Sequence, residues 1–193
     1  MKITTSRKEL LDLLKALVAI GIAFAIVMQG IPTDPTFIIA FLFSILTVGI
    51  GFIGHELAHK ILAQKYHCRA EFRSDDKMLL LAVIFSLFGF VFAAPGAVMI
   101  RGHLSKKQYG RVAAVGPATN IVISIAFLAL FFSSIPLFKI IGSYGFRINA
   151  WLALFNMIPI GIFDGAKIWK YNRPAYIVIA AFALGLIILQ NII

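Results

Sequence analysis

Apolar positions fall in long runs along this chain, and polar positions gather in short clusters between them. Residues 1–9 are polar and basic. Apolar residues then dominate from about Leu10 to Gln29, Phe37 to Ala63, Met78 to Ile100, Val112 to Phe132, Ile148 to Phe163 and Ala175 to Ile193. Several of these runs approach the roughly 20 residues that carry a helix across a bilayer. Asp12 and Lys15 sit in the first turns of the first run, where they can snorkel to the interface. Residues 31–36 hold Pro32, Asp34 and Pro35 and predict a tight turn. Gly89, Pro95 and Gly96 interrupt the run at 78–100, while 66–77 and 133–147 predict loops. The pattern predicts an all-α polytopic membrane protein with about five transmembrane helices. With no repeat or linker in view, residues 1–193 form one membrane-embedded domain, whose first run stays as an uncleaved span.

Composition agrees, since 61% of residues are hydrophobic and only 13% are charged. The net charge of +10 would suit a nucleic-acid binder, but the basic residues lie in short segments between apolar runs. That is the placement of the positive-inside rule, so the bilayer is the expected partner and nucleic acid is not. The single Cys68 excludes an intramolecular disulfide framework. Charge also orders the topology. With a cytoplasmic N-terminus and no crossing at 78–100, sixteen basic residues face the cytoplasm and only Lys139 and Arg147 face outward. If 78–100 crosses, the split becomes eleven to seven. The first arrangement is favoured, and it makes 78–100 a re-entrant element with both ends on the cytoplasmic face. Irregular backbone at membrane depth must lie against protein or a water-filled cavity, which places this element beside a site. The location expected is a cell membrane, with the site toward the cytoplasm.

The candidate site begins at Gly54-His55-Glu56-Leu57-Ala58-His59. Residues four apart on a helix share one face, so His55 and His59 can bind one metal ion. Glu56 stands beside the first ligand, where it can take the proton of an attacking water. The motif lies in an apolar span, where an ionisable side chain costs roughly 2.5–3.5 kcal/mol at the helix centre and is functional by default. A catalytic zinc site usually has a third protein ligand. Acids are few: Glu9 and Asp12 are N-terminal, Asp34 is in the opposite turn, and Glu71, Asp75 and Asp76 follow the motif in a polar loop. Asp164 is the best candidate. It ends an apolar stretch, Gly165 follows it, and the favoured topology puts it at the depth of His59.

These pieces resemble the site-2 protease family of intramembrane zinc metalloproteases. The matching segments are Gly54–His59, the Gly116-Pro117-Ala118-Thr119-Asn120 run, and Asn149 through Gly165. Together they cover a core of about 37–172, flanked by spans at 10–29 and 175–193. The resemblance implies one zinc ion held by His55, His59 and Asp164, with Glu56 as general base. It implies cleavage of a peptide bond in or near the transmembrane helix of a membrane-protein substrate. Asn149 matches a family asparagine near the active site, which implies a role in holding substrate or oxyanion. Ile162, Phe163 and Ala166 depart from the family's proline, leucine and second glycine, which bears on local loop shape. The chain leaves no room for the PDZ or CBS domains of many relatives, so a minimal form is expected. The alternative is a non-catalytic membrane protein that binds zinc or client helices, against which an intact Glu56 argues.

Overall fold

A computed structural model describes residues 3–32, 34–91 and 95–193, and among these it has eight α-helices, one π-helical turn and one two-stranded sheet. Helix α1 (Arg7–Gln29) starts at Ser6, whose hydroxyl accepts from the Glu9 amide and so satisfies one of the open donors of the first turn. Helices α2 (Phe37–Ser44) and α3 (Ile50–Lys65) join through a π-helical turn at Ile45–Gly49 into one rod of 29 residues. Helix α5 (Lys106–Phe131) opens with a capping box between Ser105 and Gln108. By length and composition α1, the Phe37–Lys65 rod and α5 can each cross a membrane, rising about 1.5 Å per residue. Ile38, Leu42, Leu46 and Ile50, four residues apart on the rod, are all about half exposed. Such a continuous apolar stripe fits lipid better than water.

Between the rod and α5 lie strand β1 (Arg69–Ser74), helix α4 (Asp76–Ser86) and strand β2 (Gly96–Arg101). At 11 residues α4 is too short for a bilayer core of about 30 Å. Strand β2 returns antiparallel to β1, with Arg69 opposite Arg101 and Ser74 opposite Gly96. The stretch at 78–100, expected to be re-entrant, thus holds most of a short helix and a strand that pairs back onto β1. Residues 92–94 of that stretch lie outside the described residues, as do Lys2 of the basic N-terminus and Thr33 of the turn.

One face of the sheet joins the core. Phe72, 1% exposed, packs edge-on against Phe52 of α3 at 5.6 Å, together with Leu13, Ala16 and Ile20 of α1 and Leu79 of α4. A buried ion pair fixes the same junction. Lys60 Nζ donates to Glu9 Oε2 at 2.6 Å and to Thr5 Oγ1, while Glu9 Oε1 accepts from the Phe72 amide at 3.0 Å. One carboxylate thus ties α1, α3 and β1 together.

The second half departs from the sequence expectation, whose run at 148–163 is helical only as far as Asn156. Helix α6 (Pro136–Asn156) begins at Pro136, so most of the supposed loop at 133–147 is helical. Gly142, Ser143 and Gly145 read as loop residues, yet the two glycines let α6 approach α5 closely at Phe127. Helices α7 (Asp164–Tyr171) and α8 (Arg173–Leu189) complete the chain; α8 is apolar but shorter than the three candidate spans.

Candidate metal centre

The rod, α7 and α5 converge on three side chains. His55 and His59 lie one turn apart on α3, and Asp164 is the first residue of α7; all three are buried. His55 Nε2 and His59 Nε2 stand 3.0 Å apart, and Asp164 Oδ2 lies 3.1 Å from the first and 2.9 Å from the second. The structure thus brings together the three residues that sequence spacing and elimination selected, and their donor atoms form a cluster able to hold a metal ion.

The outer nitrogens show what this cluster needs. His59 Nδ1 lies 2.6 Å from the Val112 carbonyl, which can only accept, so that nitrogen carries the ring proton. His55 Nδ1 lies 2.6 Å from Asn120 Oδ1. The Asn120 amide orientation follows from its donor end, which gives to the Gly51 carbonyl and to Asn149 Oδ1. His55 Nδ1 is therefore a donor too, so in the neutral form of each ring it is the Nε2 lone pair that turns toward the Asp164 oxygen. A single shared proton would relieve one edge of that triangle and leave the others. A cation relieves all three. Two imidazoles and a carboxylate are a known zinc donor set, and ligands on bonds of about 2.0–2.2 Å sit roughly 3.3 Å apart around it, close to the spacing here.

Three partners that the sequence reading did not assign support this cluster. Asn120, fully buried, orients His55, and Val112 orients His59. Lys167, one turn on in α7, donates to Asp164 Oδ1 at 3.2 Å and leaves Oδ2 for the imidazoles. The Gly116-Pro117 pair explains how α5 reaches so close. A Cβ on Gly116 would collide with the imidazoles of both His55 and His59, and Pro117, lacking an N–H, opens the hydrogen-bond ladder of that same turn. A sequence signal for Asn120 existed in the Gly-Pro-x-x-Asn run, but nothing in it named His55 as the partner.

Asn149 stands behind Asn120. It is fully buried, its amide donates to the Thr47 and Gly145 carbonyls, and its Oδ1 accepts from Asn120. Among the described residues it makes no hydrogen bond to His55, His59 or Asp164. Thr47 belongs to the π-helical turn, a feature frequent at functional sites. Glu56 is half-buried on α3, with His55, Asp164 and Lys167 in electrostatic reach, and its carboxylate has no hydrogen bond or ion pair among the described residues. His67, Cys68 and His103 lie outside the cluster.

The fold and the site define a helical chain of membrane-spanning character built around a buried His-His-Asp cluster. A protein of Methanocaldococcus jannaschii, named "Putative zinc metalloprotease MJ0611", is 39% identical over 185 residues, which are 93% of this chain and 93% of that one. The chain belongs to the family of that protein. No family model matches the chain, and no solved structure matches it.

Proposed function

We propose that this chain is an intramembrane zinc metalloprotease of the site-2 protease type, which cleaves a peptide bond in or near a substrate's transmembrane helix. The observation that carries the reading is the meeting of three donor atoms, from His55 and His59 of the apolar rod and Asp164 of α7, near a Glu56 carboxylate with no hydrogen bond or ion pair among the described residues. The name of the relative supports the metal and the reaction class. The count of loop charges supports an active site toward the cytoplasm and a cytoplasmic N-terminus.

In this reading His55, His59 and Asp164 hold zinc, which supplies a Lewis acid that polarises a carbonyl and makes a water acidic near neutral pH. Glu56 takes one proton from the attacking water as its oxygen bonds to the scissile carbonyl carbon. It then gives that proton to the leaving amine as the C–N bond breaks. Asn120, Val112 and Lys167 hold the ligands in register, and Asn149 acts as a positioning residue through Asn120.

A substrate helix has all its backbone bonds satisfied in lipid, so a segment must unwind to be cut. Strand β2 is suited to hold it. The Phe72 amide and the Ala70 carbonyl point away from β2 and are taken by Glu9 and Gln64, so the outer edge of β1 is occupied. Their partners across the pair, Val98 and Ile100, by the same alternation turn their backbone groups to the outer edge of β2. An unwound segment can add there as a third strand.

Metal analysis and cleavage of a membrane-protein substrate test the reading. Wild type and Glu56→Gln should each carry one zinc ion per chain, with cleavage only in wild type. Zinc without Glu56-dependent cleavage of any membrane substrate would favour a metal-binding or client-binding protein instead. Val98→Pro tests the edge. It removes an outward N–H and trims the Val98 packing on the core, so with circular dichroism showing the fold retained it should lower kcat/KM by about five- to tenfold, the worth of one hydrogen bond. Unchanged cleavage would refute strand addition.

A further inference from the structure

The outer face of the sheet is the opposite of its inner one. Alternation puts Arg69, Glu71 and Arg73 of β1 on the side away from the buried Ala70 and Phe72, and their cross-strand partners are Arg101, Met99 and Ala97. Arg69, Glu71, Arg73, Met99 and Arg101, with Thr4, line a cavity of about 490 Å³. Three cations and one acid surround it. Arg73 has its charge matched, by Glu71 and by Asp12 at 3.7 Å. Arg69 and Arg101 do not. They are registered directly opposite each other, an arrangement that like charges disfavour, and neither guanidinium has an acid, a side-chain hydrogen bond or a ring contact among the described residues. Both are exposed to solvent, and the group that would relieve their repulsion is an anion able to accept from two guanidinium forks.

Position narrows the anion's source. Thr4 lies just before α1 begins at Arg7, and Arg69 lies just after the rod ends at Lys65; both helices can span a membrane. The cavity therefore lies at the level where spans enter water, the depth of lipid headgroups. Basic pockets at that depth take anionic headgroups, and arginine pairs with phosphate through two parallel hydrogen bonds. Met99, 58% exposed beside the arginines, gives an apolar shelf for the root of acyl chains. We infer that Arg69 and Arg101 form a binding site for the phosphate group of an anionic phospholipid, seated on the outer face of the β1–β2 sheet. This rests on the membrane-spanning reading of α1 and the rod, and not on any proteolytic activity.

Native mass spectrometry of the whole chain in detergent, titrated with phosphatidylglycerol or phosphatidylcholine, tests it without an activity readout. Wild type should retain one phosphatidylglycerol at least about tenfold more tightly than phosphatidylcholine. Arg69→Gln/Arg101→Gln should abolish that preference. Met99→Glu keeps both arginines but adds a competing carboxylate, and it should lower the preference as well. Lys106→Gln/Lys107→Gln, which removes as much charge away from the cavity, should leave it unchanged. The site is refuted if the arginine pair can be replaced without effect, or if the lysine pair matters equally. Displacement of the lipid by millimolar inorganic phosphate would assign the site to free phosphate and overturn the headgroup assignment.

Discussion

Replacing Asn120 with alanine should weaken zinc binding without removing a ligand. The Asn120 carbonyl is the acceptor that fixes the tautomer and the ring orientation of His55, at 2.6 Å in a fully buried setting. Loss of such an outer partner typically costs 10–100-fold in metal affinity, or about 1.4–2.7 kcal/mol. The same change also takes donors away from the Gly51 carbonyl and Asn149 Oδ1, which should lower stability by about 1–3 kcal/mol. The two effects separate through Asn149→Ala. That variant leaves the Asn120–His55 bond in place while stripping the donor that the Thr47 carbonyl receives. Zinc affinity by competition with a chromophoric chelator, measured alongside thermal melting, gives both quantities. Asn120→Ala should lose affinity by at least tenfold and Asn149→Ala by clearly less, although both melt earlier. Equal losses of affinity in the two variants, or none in Asn120→Ala while the protein stays folded, would refute the reasoning.

Other outcomes follow from the same geometry. Lys60→Met leaves Glu9 buried without its cation, and denaturant unfolding in detergent should show a loss of about 3–5 kcal/mol; Glu9→Gln/Lys60→Met, which keeps an acceptor for the Phe72 amide, should recover most of it. Gly116→Ala places a methyl group against both imidazoles, so bound zinc measured by elemental analysis should fall well below one ion per chain, whereas Ala118→Gly should retain it. Asp34 has a carboxyl held below its ordinary value of 3.8, chiefly by the backbone N–H of Thr36. A depressed folded value stabilises above the unfolded value and is lost as pH falls through the folded one. Melting of wild type should therefore exceed that of Asp34→Asn above about pH 4, and the gap should close as pH drops below 3.8.

The centre was legible because its chemistry is local. Helical spacing put His55 and His59 on one face, and the scarcity of acids singled out Asp164, which the structure places within 3.1 Å of both. Within 78–100, strand β2 pairs with β1, and that pairing, not the membrane sidedness argued from charge, is what the structure adds. What escaped was tertiary. Asn120 meets His55 across 65 positions and Glu9 meets Lys60 across 51, and no periodicity encodes such pairings. Strand β1 did leave a signal, the alternation of Arg69, Glu71 and Arg73 with Ala70 and Phe72, inside a segment that looked like a polar loop. The start of α6 was hidden because Gly142 and Gly145 suggest a loop by propensity, while their role is close helix packing against α5.

The most direct test is cleavage of a single-span substrate by the purified chain in liposomes, with the cut mapped by mass spectrometry. The account predicts a cut within or next to the substrate's transmembrane segment. That cut should be lost on chelation, restored by zinc, and absent in Glu56→Gln. A cut confined to a soluble loop, or one that survives Glu56→Gln, would contradict it.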